Sequence, residues 1–156
     1  MAKYSVSHGL LTYHIYALID PRTETVYYVG QTIDLTNRMY GHKTNGRNAH
    51  KHSQPVYQRT NGILEAGLEP IVVVLDSIET YHLEIALRLE ECYRIEMLNQ
   101  DEILANAWKT GRCIDTENPM QEAAYIKQFA LVTDSQLAEL KELDKQRAFK
   151  KVFGGI

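Results

Sequence analysis

A chain of 156 residues, 44% apolar and 24% charged, is long enough to bury a core and too short for a large multidomain enzyme. It has no apolar run of the roughly 18 residues that a membrane helix requires, and Met1-Ala2-Lys3-Tyr4-Ser5 opens no signal-like segment, so the expectation is a soluble cytoplasmic protein with no membrane partner. The net charge of −3 disfavours a globally basic nucleic-acid binder, but the charge is unevenly placed.

From Leu35 to Leu64 there is no Asp or Glu, while Arg38, Lys43, Arg47, Lys51 and Arg59 occur with His42, His50 and His52 between them. Gly62 to Gly111 then holds ten carboxylates against Arg88, Arg94 and Lys109. The chain is expected to be electrically two-faced.

Residues 13–19 are β-branched and aromatic, Asp20-Pro21-Arg22-Thr23-Glu24 carries turn chemistry, and 25–29 resumes a strand, which predicts a β-hairpin. Asp34 is placed to cap a short helix over 35–43 that Asn45-Gly46 should end. Ser53 precedes Pro55 as the expected cap of a second helix, running to about Gly67. Pro70 to Leu75 is a continuous apolar run of strand length, most simply a buried central strand.

The longest helix is expected over about 79–98, capped by Ser77 or Thr80. Its period-four rows set Leu83, Leu87, Glu91 and Ile95 on one stripe, and Ala86, Glu90 and Arg94 on the next. Glu90 precedes Arg94 in the order that favours an i,i+4 ion pair, whereas Glu91 interrupts an apolar stripe and calls for a partner or a metal. After Gly111, a linker over 115–119 leads to helices over 120–131 and 135–152; Ala138, Leu140, Leu143 and Phe149 give the last one an apolar side. Cys92 and Cys113 have no CxxC pairing, so neither a disulfide framework nor a zinc ribbon is indicated.

Five features stand in order: His14-Ile15-Tyr16, Tyr28-Val29-Gly30, Arg38 with His42 four residues on, Glu91-Cys92-Tyr93-Arg94-Ile95, and the spacing from Leu98-Asn99 to Asn106. Over about 13–111 they resemble the GIY-YIG nuclease family, found in homing endonucleases, restriction enzymes and excision-repair incision modules. The departures are His14 where the family usually has glycine, and Val29 for isoleucine.

The resemblance implies an α+β fold, a small antiparallel three-stranded sheet flanked by helices. Residues 1–112 would form the nuclease domain and 113–156 a helical extension, packing on the domain or mediating a homodimer. It implies a DNA endonuclease acting through Tyr16, Tyr28, Arg38, His42, Glu91 and Asn106. Glu91 would hold one divalent cation, Mg²⁺ or alternatively Mn²⁺, and Tyr16 would be the base. Lys43, Arg47, Lys51, His52 and Arg59 would contact substrate. Two rival readings are an inactive nucleic-acid-binding module of the same fold and a zinc domain using His42, His50, His52 and a cysteine.

Overall fold

The computed structural model describes residues 9–49, 54–99 and 117–153, the side chains of 147–153 excepted. Strands β1 (Leu11–Asp20) and β2 (Thr25–Thr32) form the expected hairpin, joined by a tight turn in which Asp20 O accepts from the backbone N–H groups of Thr23 and Glu24. Both Asp20 carboxylate oxygens are engaged, one by Arg59 Nε at 2.6 Å and the same carboxylate by Arg22 through its backbone and guanidinium. A buried acid so surrounded keeps its charge, and its pKa lies well below the usual carboxylate range, chiefly through the Arg22 hydrogen bond.

Helix α1 (Leu35–Arg47) begins where expected, with the Asp34 side chain accepting from Asn37 N–H at 3.0 Å. It does not stop at Asn45-Gly46. Gly46 is buried inside the helix because a Cβ there would lie 2.7 Å from Thr60 Cγ2 of helix α2 (Pro55–Glu65). The glycine that reads as a helix stop instead lets two helices approach closely. Pro55 opens α2 and Gln54 precedes it without a side-chain cap; Ser53 lies outside the described residues.

Strand β3 (Ile71–Thr80) is longer than the apolar run suggests, and its place is different. The sheet order is β2-β1-β3, with both pairings antiparallel, so β3 is an edge strand and β1 is central. Ile71, Val72, Val73 and Val74 are all exposed. An unbroken apolar run resembles a strand buried on both faces, and periodicity alone does not separate that case from a strand left uncovered.

Residues 76–80 therefore belong to β3, and helix α3 (Leu83–Asn99) starts later than expected. Thr80 ends the strand, where its Oγ1 donates to Ala130 O and accepts from His82 N–H. Helices α4 (Pro119–Lys127) and α5 (Asp134–Phe153) complete the order. Thr133 and Gln136 exchange hydrogen bonds across the start of α5, a capping box.

Two layers cover the sheet. Tyr16 and Leu18 pack with Val56, Tyr57 and Ile63 of α2 and with Leu35 and Met39 of α1. Tyr13, Ile15 and Val29 pack on the other face with Ile85, Ala86, Leu89 and Cys92 of α3, and that core continues into Ala123 and Ile126 of α4 and Leu137 and Leu140 of α5. The extra residue of the β1–β2 bulge is Tyr27, and the irregularity turns both Tyr27 and Tyr28 toward the α1/α2 layer.

Arg88 and Asp144 form a buried, two-pronged pair at 2.6 and 3.1 Å that fixes α5 to α3. Removing one member of such a pair strands the other's charge. Asp144→Ala should lower stability by about 3 kcal/mol. The double change Arg88→Met with Asp144→Leu should recover most of that loss in urea unfolding; equal destabilisation by both would show that the pair does not act as a unit.

Candidate active site

The site grows from the central strand. Tyr16 faces Gly30 across β2 and Val74 across β3, and its hydroxyl lies between two side chains of α1. Arg38 Nε donates to Tyr16 Oη at 3.2 Å, and Oη is 2.7 Å from His42 Nε2. Arg38 is only a donor, so the phenol's own proton points to the imidazole, and His42 is neutral with its proton on Nδ1. That Nδ1 is buried with no hydrogen-bond partner among the described residues.

Spacing explains the convergence. Arg38 and His42 are four residues apart and share a helix face, which α1 lays against β1 through Leu35 and Met39. The Tyr28 ring meets His42 edge-on at 5.2 Å and tilts over Tyr16 at 6.2 Å, while Tyr57 of α2 closes the cluster 6.2 Å from His42. Gly30 makes the room. A Cβ there would stand 2.7 Å from Tyr16 Cζ and Oη and 2.8 Å from Tyr28 Cε2.

The electrostatics follow from burial. Tyr16 and Tyr28 both have raised pKa values, first because burial disfavours the phenolate; Arg38 pulls both back down. Burial likewise pushes His42 down to about 4, with the Arg38 charge adding to it. Tyr16 and His42 are fully buried, while Tyr28 and Arg38 are part-exposed and form the solvent side of the cluster.

Two consecutive acids on α3, about 100° apart round the helix, meet different partners. Glu84 and Arg88 bind Lys141 and Asp144 of α5, and Glu91, three residues beyond Arg88, belongs to that same flank. Both Glu91 oxygens are taken by Arg94, at 2.5 Å from Nε and 3.0 Å from Nη2. The ion pair expected between Glu90 and Arg94 is thus made by Glu91. Glu90, about 160° round the helix from Arg88, is buried, and its negative charge raises the pKa of both Tyr16 and Tyr28.

The structure therefore brings Tyr16, Tyr28, Arg38 and His42 together and sets Glu90 beside them, with Glu91 turned to Arg94. The signal for Glu90 was the choice of stripe. The buried face of α3 is Ile85, Ala86, Leu89 and Cys92, and Glu90 borders it on the Ala86 side. Among the described residues no group of three His, Cys, Asp or Glu forms a metal cluster, and His42 is committed to Tyr16, so the zinc reading has no support there.

Of the expected substrate contacts, Lys43 pairs with Glu69 at 3.2 Å and Arg47 is exposed at the end of α1. Arg59 is bound by Asp20 and lies 5.6 Å over the Tyr27 ring, so it serves the hairpin. Lys51, His52 and Asn106 lie outside the described residues. His14 is hydrogen-bonded to Ser77 of β3 through Nδ1 at 2.8 Å.

A profile of the GIY-YIG catalytic domain matches residues 12–99, more than half of the chain. No match was found among curated proteins or among solved structures. The sheet order, the paired tyrosines and the Arg38/His42 face define a nuclease-type domain. The chain belongs to the GIY-YIG family. Such a domain implies DNA as substrate, and the family generally uses a divalent metal. No helix among the described residues is long and apolar enough to cross a membrane.

The His42 environment has a measurable consequence. The unfolded chain binds an imidazole proton near 6.5 and the folded one only near 4, so between these values the unfolded state holds more protons and stability falls as pH is lowered. That stability is fully present above about 6.5, and about 3 kcal/mol of it is lost by pH 4. Urea unfolding from pH 7 to 4 should therefore show wild type losing about 3 kcal/mol more than His42→Gln, which keeps an acceptor for the Tyr16 hydroxyl. Parallel curves would mean that His42 protonates freely in the folded protein.

Proposed function

We propose that this chain is an endonuclease that hydrolyses DNA phosphodiester bonds with one divalent cation, Mg²⁺ or Mn²⁺, and with Tyr16 as the group that takes the proton from water. The observation that carries the reading is the Tyr16 hydroxyl held between the Arg38 guanidinium and the His42 imidazole.

Hydrolysis forms a bond from water oxygen to phosphorus and breaks the bond to the 3′ oxygen, so a proton must leave the water as it attacks. A buried phenol keeps its proton at neutral pH, because burial holds its pKa high, so almost no phenolate is present to act as a base. The hydrogen bond to His42 removes that difficulty. Tyr16 Oη accepts the water's proton while its own proton passes to His42 Nε2, 2.7 Å away, and no free phenolate forms.

Arg38 has two duties in this scheme. Its Nε donates to Tyr16, and its terminal N–H groups are the part of the fork that meets a phosphate oxygen. Bound phosphate neutralises the guanidinium, and so relieves one of the two effects that lower the His42 pKa. Substrate binding thereby strengthens the proton acceptor. Tyr28, edge-on to His42, holds the imidazole in place and borders the phosphate.

Glu90 would hold the cation, which supplies positive charge for the phosphoryl and departing oxygens. One carboxylate suits a one-metal mechanism, since a two-metal clamp needs several acidic ligands. Arg47, Lys51, His52 and, once released from Glu69, Lys43 would contact backbone phosphates. Such contacts position DNA without reading its sequence. Asn106 would orient Tyr16 or the acid by hydrogen bonding.

Single-turnover cleavage of plasmid or duplex oligonucleotide in Mg²⁺ tests the scheme. Glu90→Gln, Arg38→Lys and Tyr16→Phe should each cut at least about 100-fold more slowly, a loss on the scale of one removed charge-stabilising or proton-transfer group. Glu91→Gln should stay within severalfold of wild type and lose stability instead. Full activity in Glu90→Gln, or its loss in Glu91→Gln alone, would overturn the assignment of the acid.

A further inference from the structure

Gly41 stands apart from the other described glycines. Gly30 and Gly46 are required by neighbours that a Cβ would strike at 2.7 Å, and Gly62 sits 3.0 Å from Arg22 by the same measure. Gly9 and Gly67 have φ of +81° and +76°, where side chains are strained. Gly41 has an ordinary helical backbone, and a Cβ built on it meets nothing within 4 Å. Glycine in a helix interior is less stable than alanine, because it leaves more chain freedom to be lost on folding. Nothing within the described protein repays that cost.

Its position supplies a reason. Gly41 lies three residues after Arg38 and immediately before His42, so on the helix it borders Arg38 on the solvent side. Asn37 and Asn45, four residues to either side, share its row, and neither carboxamide has a hydrogen-bond partner among the described residues. The row is uncharged, polar and free of bulk at its centre. A missing Cβ next to a phosphate-binding group is the usual means of letting a ligand's backbone approach the chain closely.

We propose that Asn37, Gly41 and Asn45 form a substrate track on α1. The strand flanking the scissile phosphate lies against the helix backbone at Gly41, with the two carboxamides hydrogen-bonding its phosphate or sugar oxygens. The proposal rests on the nuclease reading and adds to it where the substrate runs. Because the track carries no charge, its contribution is geometric and insensitive to salt, unlike that of lysine and arginine contacts.

The test is affinity for a duplex oligonucleotide in EDTA, which removes chemistry from the readout, measured for wild type, Gly41→Ala, Gly41→Leu and Asn37→Ala/Asn45→Ala. Gly41→Ala should raise the melting temperature by about 2–4 °C, as expected for a helix-interior glycine in a chain of this size. It should nonetheless weaken binding about tenfold, and Gly41→Leu more. The slope of affinity against salt should match wild type. Wild-type affinity in both glycine variants, with cleavage by the wild type intact, would overturn the track and leave the nuclease reading standing. A wild type that neither binds nor cuts DNA would overturn both.

Discussion

The hydroxyl of Tyr16 is the point on which the arrangement turns. It accepts from Arg38 and donates to His42, and in doing so it joins the central strand to the first helix through two side chains of α1. A buried phenol without partners would cost about 1–3 kcal/mol, and so would a buried imidazole nitrogen. The two satisfy each other only if α1 lies close over β1. That closeness requires the opposing residue on β2 to have no side chain, which Gly30 meets. Cluster and fold are thus one constraint seen from two sides.

Several buried charges elsewhere have specific counterparts. Asp20 holds Arg22 and Arg59 in the hairpin, Asp144 holds Arg88, and Arg94 closes both oxygens of Glu91. Arg59, which lies in the cationic stretch, is therefore a structural residue. Arg38 differs in kind, because it has phenols beside it where the others have carboxylates. Its full positive charge persists at the surface of the cluster, which is the condition for meeting a phosphate.

The sequence made the local chemistry legible where a residue has one plausible use. Asp34 before an apolar-periodic segment caps α1, Tyr16 and Tyr28 stand on paired strands, and Arg38 and His42 share a face whatever the helix packs against. What was not legible depended on neighbours distant in the chain. Gly46 reads as a helix end until Thr60 is known to press on it. The run from Ile71 to Val74 reads as buried until the strand order shows it at the edge. Glu90 and Glu91 differ by one position on a helix whose flanking residues are apolar in two adjacent stripes, so period alone assigns the burial to either stripe. Only the docking of α5 against Glu84 and Arg88 selects between them.

That docking links the C-terminal helices to the site. Arg88 and Glu90 are two residues apart and point to opposite sides of α3, so the clamp that Asp144 places on Arg88 also fixes the rotation of the helix about its axis. A rotation of about 100° in one sense would carry Leu89 to the phenols and Glu91 toward the core, and in the other sense would carry Glu90 into the core. The shared core of Leu89, Ile126, Leu137 and Leu140 resists such a rotation through packing, and the ion pair adds direction to it. The helices after residue 117 thus help to set how α3 is turned, with one acid beside the tyrosines and the other on Arg94.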